Sequence, residues 1–439
     1  MSIEIVTLIL FACIFILLAS GLPIAFAIGG VSVAFALIFW GFDNIYLLAS
    51  SAYSNLQNLN LVAIPLFVLM GWILQESGIA DDLFEAMYVW VGNIRGGLAM
   101  GSILVSMLFA AICGELVAAI FTITAIALPS MLKRGYDKKL AVGCVMAGAL
   151  LGLIIPPSII LIVYSSVTGE SLGRMYLGAF IPGVILACLY ILYIGIRCYL
   201  NPTLGPPAPP EARVGWRIKF IKLKGVVAPL ALLLAILGGI YSGAVSPMEA
   251  SAVGATGALV CAALHRRLTW KVVKEATSMT FRISSMIAWA LIALGLFTSV
   301  YSGIGGQQIA RNIAESNAFG PWGMIIIMQI ALIIFGMFMD DFAVIMIFGP
   351  IFSHIVRGLG FDTLWFGIVF MVNIQLAFMT PPYGFSLFCM RAAVPKDLDI
   401  TMGEIYRAAL PFIGLQALCL IIVMIFQPLA TYLPRLIIR

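Results

Sequence analysis

Apolar runs of about 18 residues or more recur from one end of the chain to the other, separated by short stretches that hold most of the charge. Continuous rather than alternating runs predict membrane-spanning α-helices and exclude a β-barrel. The stretches 61–76, 98–112, 174–200, 225–245, 250–264, 283–300, 321–335 and 407–430 read as membrane or interfacial helices, and 5–40 as one or two more. Segments 114–130 and 336–350 are too short to cross after their polar starts. They read as halves of re-entrant hairpins. The stretches that follow them, 140–168 and 364–394, read as helix, break, helix.

Both breaks have the same form: Gly152-Leu153-Ile154-Ile155-Pro156-Pro157-Ser158 and Ala377-Phe378-Met379-Thr380-Pro381-Pro382-Tyr383. A Pro-Pro pair removes two backbone donors and displaces nearby carbonyls. In lipid those groups persist only where protein, water or an ion satisfies them. Such breaks in corresponding places of two halves point to the binding site of a secondary transporter. The halves are visible as a repeat: Gly135-Tyr136-Asp137 and Gly360-Phe361-Asp362 precede the breaks at the same offset of 225 residues. Pro129 and Pro350 are offset by 221, which reads as the ends of two hairpin stretches and four extra residues in the second repeat. Charge suggests inversion. Loop 131–139 carries Lys133, Arg134, Lys138 and Lys139 against Asp137, whereas 351–363 carries only Arg357 and Asp362 with His354. The first is expected on the cytoplasmic side and the second outside.

Between the halves, Asn201 to Glu211 holds six prolines and glycines, and Arg213, Arg217, Lys219, Lys222 and Lys224 follow. This is a cytoplasmic linker by the positive-inside rule. The expected division is N-terminal helices over 1–60, repeat one over 61–200, the linker over 201–224, connecting helices over 225–282, repeat two over 283–430 and a tail over 431–439.

Composition agrees: 63% hydrophobic and 10% charged, with a mean hydropathy of +1.12. The net charge of +5 comes from loops, so it reports topology and not nucleic-acid binding. Only Glu4 is charged in the first 40 residues, so no removable signal peptide is expected. The eight cysteines have no paired spacing and read as small buried hydrophobes. His265 and His354 are too far apart for a metal motif, no Ser/His/Asp set can be built, and no phosphate-binding glycine loop followed by lysine occurs. An enzyme is therefore not expected, nor an ATP-driven pump.

With these residues laid out, the chain resembles the large membrane subunit (DctM-like) of tripartite ATP-independent periplasmic (TRAP) transporters. The resemblance rests on Gly21-Leu22-Pro23, Ile64-Pro65-Leu66-Phe67 with Gly71, the 135–158 block, Ser246-Pro247-Met248-Glu249, Gly336-Met337-Phe338-Met339-Asp340, and Met379-Thr380-Pro381-Pro382-Tyr383-Gly384. It implies an all-α polytopic membrane protein of inverted-repeat, elevator type, with two re-entrant hairpins and two Pro-Pro-broken helices. It implies sodium-coupled import of a small organic anion, carboxylate or sulfonate, across the bacterial inner membrane. A small membrane (Q) subunit and a periplasmic substrate-binding (P) protein are the implied partners, and no fused small subunit is expected. The sequence departs from the family at Cys113-Gly114-Glu115, where many members are rich in serine and glycine.

Na⁺ is the expected coupling ion, and no organic cofactor is expected. A hard cation of this kind needs several oxygens, which unwound backbone and hydroxyls supply. Ile155, Pro156 and Ser158 at the first break and Thr380 and Pro381 at the second are the candidate ligands. Asp340 and Asp341 stand in an apolar run with no cation in sequence reach, where a carboxylate is costly and usually functional or paired. They and Glu115 are candidate substrate residues, although each could instead serve a helix start. Arg391 could hold an anion bidentately or snorkel toward Lys396. A stand-alone Na⁺/divalent-anion symporter is the alternative reading. A membrane anchor and an intramembrane enzyme fit less well, because neither needs paired breaks.

Overall fold

Caps and left-handed glycines decide where the helices stop. In the computed structural model, which describes residues 2–114, 116–207, 215–309, 312 and 319–437, every regular segment is helical. Segment 5–40 forms two helices, α1 (Ile3–Ala19) and α2 (Ile24–Trp40), split where Gly21 takes φ +86° ahead of Pro23. Then come α3 (Tyr46–Leu56), α4 (Ala63–Glu76), α5 (Ile79–Val91), α6 (Gly97–Cys113) and α7 (Leu116–Lys133). The first broken helix is α8 (Lys138–Leu150) and α9 (Ile159–Thr168), followed by α10 (Leu172–Leu200). The middle of the chain forms α11 (Trp216–Tyr241), α12 (Pro247–Leu264) and α13 (Trp270–Gly303). The last part is α14 (Gly320–Phe338), α15 (Asp341–Gly358), the broken pair α16 (Thr363–Met379) and α17 (Phe385–Ala393), α18 (Met402–Ile425) and α19 (Pro428–Ile437).

Eight described helices are long and apolar enough to cross a membrane: α4 with the turn leading into it, α7, α10, α12, α13, α14, α15 and α18. The α11 helix, bent by 51°, makes a ninth candidate. It begins at Trp216 and so takes in the end of the stretch read as linker. The reason is interfacial packing: Lys222 pairs with Glu85 at 2.7 Å, and Lys219 lies over the Trp216 ring at 5.1 Å and the Trp90 ring at 5.9 Å.

Two expectations need correction. The segments read as ending at 130 and 350 continue to Lys133 and Gly358, so α7 and α15 are 18 residues each, about 27 Å at 1.5 Å per residue. Pro129 and Pro350 lie inside these helices and end neither. Losing one ladder bond does not stop a helix whose remaining carbonyls have no water to turn to. Nor does the second repeat carry four extra residues. The starts of α7 and α15, their ends, the starts of α8 and α16, and the ends of α10 and α18 all keep the 225 offset. The two prolines occupy different positions, one helical turn apart in register.

The Gly-aromatic-Asp motif is now explained as a turn. Gly135 and Gly360 both sit at φ +80°, the left-handed residue that closes a helix. Their N–H groups donate to Leu132 and Arg357 carbonyls, and the aromatic N–H groups donate to Met131 and Val356 carbonyls. Asp137 and Asp362 then cap α8 and α16, accepting from Leu140 N–H and Leu364 N–H, each at 2.9 Å.

Packing interlocks the two halves. Within them, α8 lies on α6 and α7, and α16 on α14 and α15. Between them, α9 packs on α15 and α17 on α7, while α18 packs on α8 and α10 on α16. Helix α13 packs on α2, α3 and α4, beside this core. A buried amide pair, Asn373 donating to Gln329 Oε1 at 2.6 Å, joins α16 to α14.

Candidate functional site

Four helices begin at one place. Leu116, Ile159, Asp341 and Phe385 are the first residues of α7, α9, α15 and α17, and all four line a single cavity of about 210 Å³. Gly114, Val117, Ile160, Asp340 and Phe342 complete the core side, and Ile283 and Met286 of α13 close it. The cavity therefore lies between the α6–α7 and α14–α15 turns and the starts of the two post-break helices. Each helix N-terminus carries roughly half a positive charge and several unpaired N–H groups. The starts of α9 and α17 are preceded by Ser158 and Gly384, neither of which makes a side-chain cap. The starts of α9 and α17 thus present backbone N–H groups that no side chain of their own caps.

Its two carboxylates act locally as well. Asp340 caps α15, its Oδ1 accepting the Ala343 N–H at 2.8 Å. Asp341 Oδ1 accepts the Phe342 N–H at 3.1 Å. Asp340 also lines a second, larger cavity of about 400 Å³ beside the α1–α2 turn, with Leu22, Pro23, Phe26, Trp289 and Phe338. That cavity has Asp340 and the Trp289 indole N–H as its polar side-chain groups; the smaller one, with two carboxylates and four helix starts, is the candidate site.

The breaks adjoin the site. Both Pro-Pro bonds, Pro156-Pro157 and Pro381-Pro382, are cis. At the first, Ile155, Pro156 and Ser158 are buried, and the Ser158 hydroxyl donates to the Leu153 carbonyl at 2.9 Å. At the second, the Thr380 hydroxyl donates to the Leu376 carbonyl at 2.6 Å, one turn back, and Pro381 is half-buried. Thr380 and Ser158 are not equivalents. The counterpart of Ser158 is Ser386, whose hydroxyl donates at 2.7 Å to the Phe378 carbonyl, 225 residues from Leu153. Sequence reading missed Ser386 because it lies three residues out of register with Ser158, whose position in the second repeat is held by Tyr383; a hydroxyl following each Pro-Pro pair was the available signal.

Of the candidate substrate residues, the structure brings Asp340 and Asp341 to the cavity and leaves Arg391 out of its lining. Arg391 is exposed and donates to the Ile400 carbonyl in the loop after α17. It stands six residues beyond Phe385, about 9 Å along the helix axis, too far to turn back into the cavity. Glu115 lies outside the described residues, between Gly114 and Leu116, which both line it.

Comparison with known proteins gives the family of the chain. A family model described as "Tripartite ATP-independent periplasmic transporter, DctM component" matches residues 11–429. The C4-dicarboxylate TRAP transporter large permease protein DctM of Pseudomonas aeruginosa is 33% identical over 413 residues, covering 92% of this chain and 91% of its own. The ectoine TRAP transporter large permease protein TeaC of Halomonas elongata is 27% identical, covering 99% of this chain and 100% of its own. The crystal structure of the Alcanivorax borkumensis YdaH transporter shares the fold with a TM-score of 0.59 at 14% identity, covering 90% of this chain and 91% of that one. A match over nearly the whole length places this multi-pass membrane chain in the DctM family of TRAP transporters, as the large permease subunit and not an enzyme.

Proposed function

We propose that the chain imports a small carboxylate-bearing organic anion, coupled to Na⁺, by an elevator movement of the two interlocked repeats across the bacterial inner membrane. The reading is carried by one observation: four helix N-termini converge on one cavity. Together they give it the field of roughly two positive charges before the carboxylates are counted. A carboxylate there exchanges water for backbone N–H groups already held in place, with no arginine required. The printed cargoes of the relatives differ, and a C4-dicarboxylate is the first to try because the one-third-identical relative carries that name. In a tripartite system a small membrane subunit and a periplasmic binding protein complete the assembly, and the binding protein selects the cargo first.

Loop pairing supports inversion of repeats over 61–200 and 283–430. Lys138, beside the turn between α7 and α8, donates to the Leu398 and Asp399 carbonyls between α17 and α18, at 3.3 and 3.4 Å. At the other end of the broken helix, Thr363 after the α15–α16 turn donates to Glu170 between α9 and α10. Each repeat's first turn thus meets the other repeat's second, as a two-fold axis in the membrane plane requires.

Na⁺ would sit at the breaks, held by carbonyls near Ile155, Pro156 and Pro381 and by the Ser158 and Thr380 hydroxyls, with Ser386 as a further hydroxyl. Ion binding behind the N-termini of α9 and α17 would order the donors that the anion needs. Thr380→Val keeps the shape and deletes the oxygen. Uptake by this variant should need about tenfold more sodium for half-saturation, equivalent to about 1.4 kcal/mol of ion binding. Unchanged sodium dependence would remove Thr380 from the site.

The whole reading is tested in proteoliposomes holding the chain with its small membrane subunit, given labelled C4-dicarboxylate. Uptake should require both an inward Na⁺ gradient and a loaded binding protein. Uptake without the binding protein would favour the stand-alone symporter. Uptake driven equally by K⁺ would overturn Na⁺ coupling.

A further inference from the structure

We propose that a third cavity, bounded by α8, α10 and α18 at the end of the molecule opposite Glu170 and Thr363, binds a phosphate group, carried on a lipid headgroup or free in solution. The cavity is about 210 Å³ and is lined by Lys139, Arg197 and Arg407 against one carboxylate, Asp137. That carboxylate already accepts the Leu140 N–H as the cap of α8. Among the described residues none of the three cations is in an ion pair within 4 Å. Arg197 lies 6.0 Å from the centre of the Tyr193 ring, which packs edge-on against Phe412 at 5.6 Å. Asp137 offsets one of these charges and Glu404, one turn before Arg407, faces Lys139 from outside the lining; the lining keeps a net positive charge, which an anion between the two guanidiniums would meet. Two guanidiniums and an ammonium suit a phosphate, because the planar fork of each arginine can take two oxygens.

The surroundings favour a lipid as the source. Leu410, one turn beyond Arg407 and deeper along its helix, is 58% exposed, so this arginine shares its helix face with a side chain open to the acyl region. The floor of the hollow, Tyr193, Pro411 and Phe412, is apolar. The rim loops include 131–139, whose charge marks the cytoplasmic leaflet, where anionic headgroups meet basic pockets between helices. None of this depends on the transport reading: the pocket shares no residue with the cavity where α7, α9, α15 and α17 begin.

The test is the thermal-unfolding midpoint of the purified full-length chain, stripped of lipid in neutral detergent and titrated with phosphatidylglycerol, phosphatidylcholine or inorganic phosphate. Phosphatidylglycerol should raise the midpoint saturably and phosphatidylcholine should not. The double variant Arg197→Gln/Arg407→Gln should need at least about tenfold more phosphatidylglycerol, because both forks are lost. Arg357→Gln, on the other side of the membrane, should respond as wild type. Arg407→Lys, which keeps the charge and loses the fork, should fall between and decides the matter should the double variant not fold. Inorganic phosphate that displaces phosphatidylglycerol from wild type supports the site, and phosphate that alone reproduces the full shift assigns it to a soluble ligand. An equal response of wild type, double variant and Arg407→Lys, or equal stabilisation by phosphatidylcholine, overturns the proposal.

Discussion

Asp340→Asn should lower uptake roughly 10- to 100-fold, the range expected for losing a hydrogen bond to a charged group. It should leave expression, assembly and the unfolding midpoint unchanged. The separation is possible because Asp340 does two things. Its Oδ1 caps α15 through the Ala343 N–H, and its carboxylate lines the cavity where four helices begin. Asparagine caps a helix as well as aspartate does, so the substitution removes the charge and keeps the turn. Asp340→Ala should lose uptake as well and, in addition, cost about 1 kcal/mol of stability as the cap disappears. A carboxylate is an awkward neighbour for an anion. We therefore propose that Asp340 meets the cargo through a hydroxyl or a bridging water and not at its acid group. Uptake assays beside thermal unfolding decide it. Should Asp340→Asn transport at the wild-type rate with unchanged sodium dependence, the aspartate is only a cap and its place in the site is wrong.

Gly384→Ala should abolish sodium-dependent uptake while a matched glycine change elsewhere does nothing. A Cβ at Gly384 would stand 2.5 Å from the Phe378 carbonyl oxygen and 2.9 Å from that of Thr380. Neither can yield freely. The first accepts the Ser386 hydroxyl at 2.7 Å and the second accepts the Gly384 N–H at 3.0 Å. Forcing a methyl group between them displaces the carbonyls that the second break presents, at a cost of about 1–3 kcal/mol from overpacking. Gly414, inside α18, has nothing within 4 Å of its would-be Cβ. Gly414→Ala should therefore be neutral or slightly stabilising through helix propensity, by up to about 1 kcal/mol. The comparison is made by uptake against sodium concentration and by unfolding midpoint. A Gly384→Ala protein with normal sodium dependence would show that the second break is structural and holds no ion.

The helices, their breaks and the repeat were legible because each rests on local chemistry. Apolar runs need a helix in lipid, since every backbone group must bond within its own segment. Gly135-Tyr136-Asp137 and Gly360-Phe361-Asp362 encode a left-handed stop, a reversal and a cap within three residues, so their recurrence could be seen without coordinates. The Pro-Pro pairs were equally plain. A lone proline is a weaker signal: by sequence Pro129 and Pro350 read as helix ends, yet both are accommodated inside 18-residue helices.

What the residues alone determined, then, is class, family, element positions and the two breaks, all set by neighbours a few positions away. Only the tertiary structure decided that α7, α9, α15 and α17 begin around one cavity, because the order of packing between distant helices is fixed by interdigitating side chains and not by spacing. The same packing turned Arg391 out to the Ile400 carbonyl and gave Ser386, not Thr380, the hydrogen bond that repeats Ser158. It also gathered Lys139, Arg197 and Arg407, which lie far apart in the sequence, around a single hollow. A charge's partner in the membrane depends on which helix faces it, and that is a property of the fold.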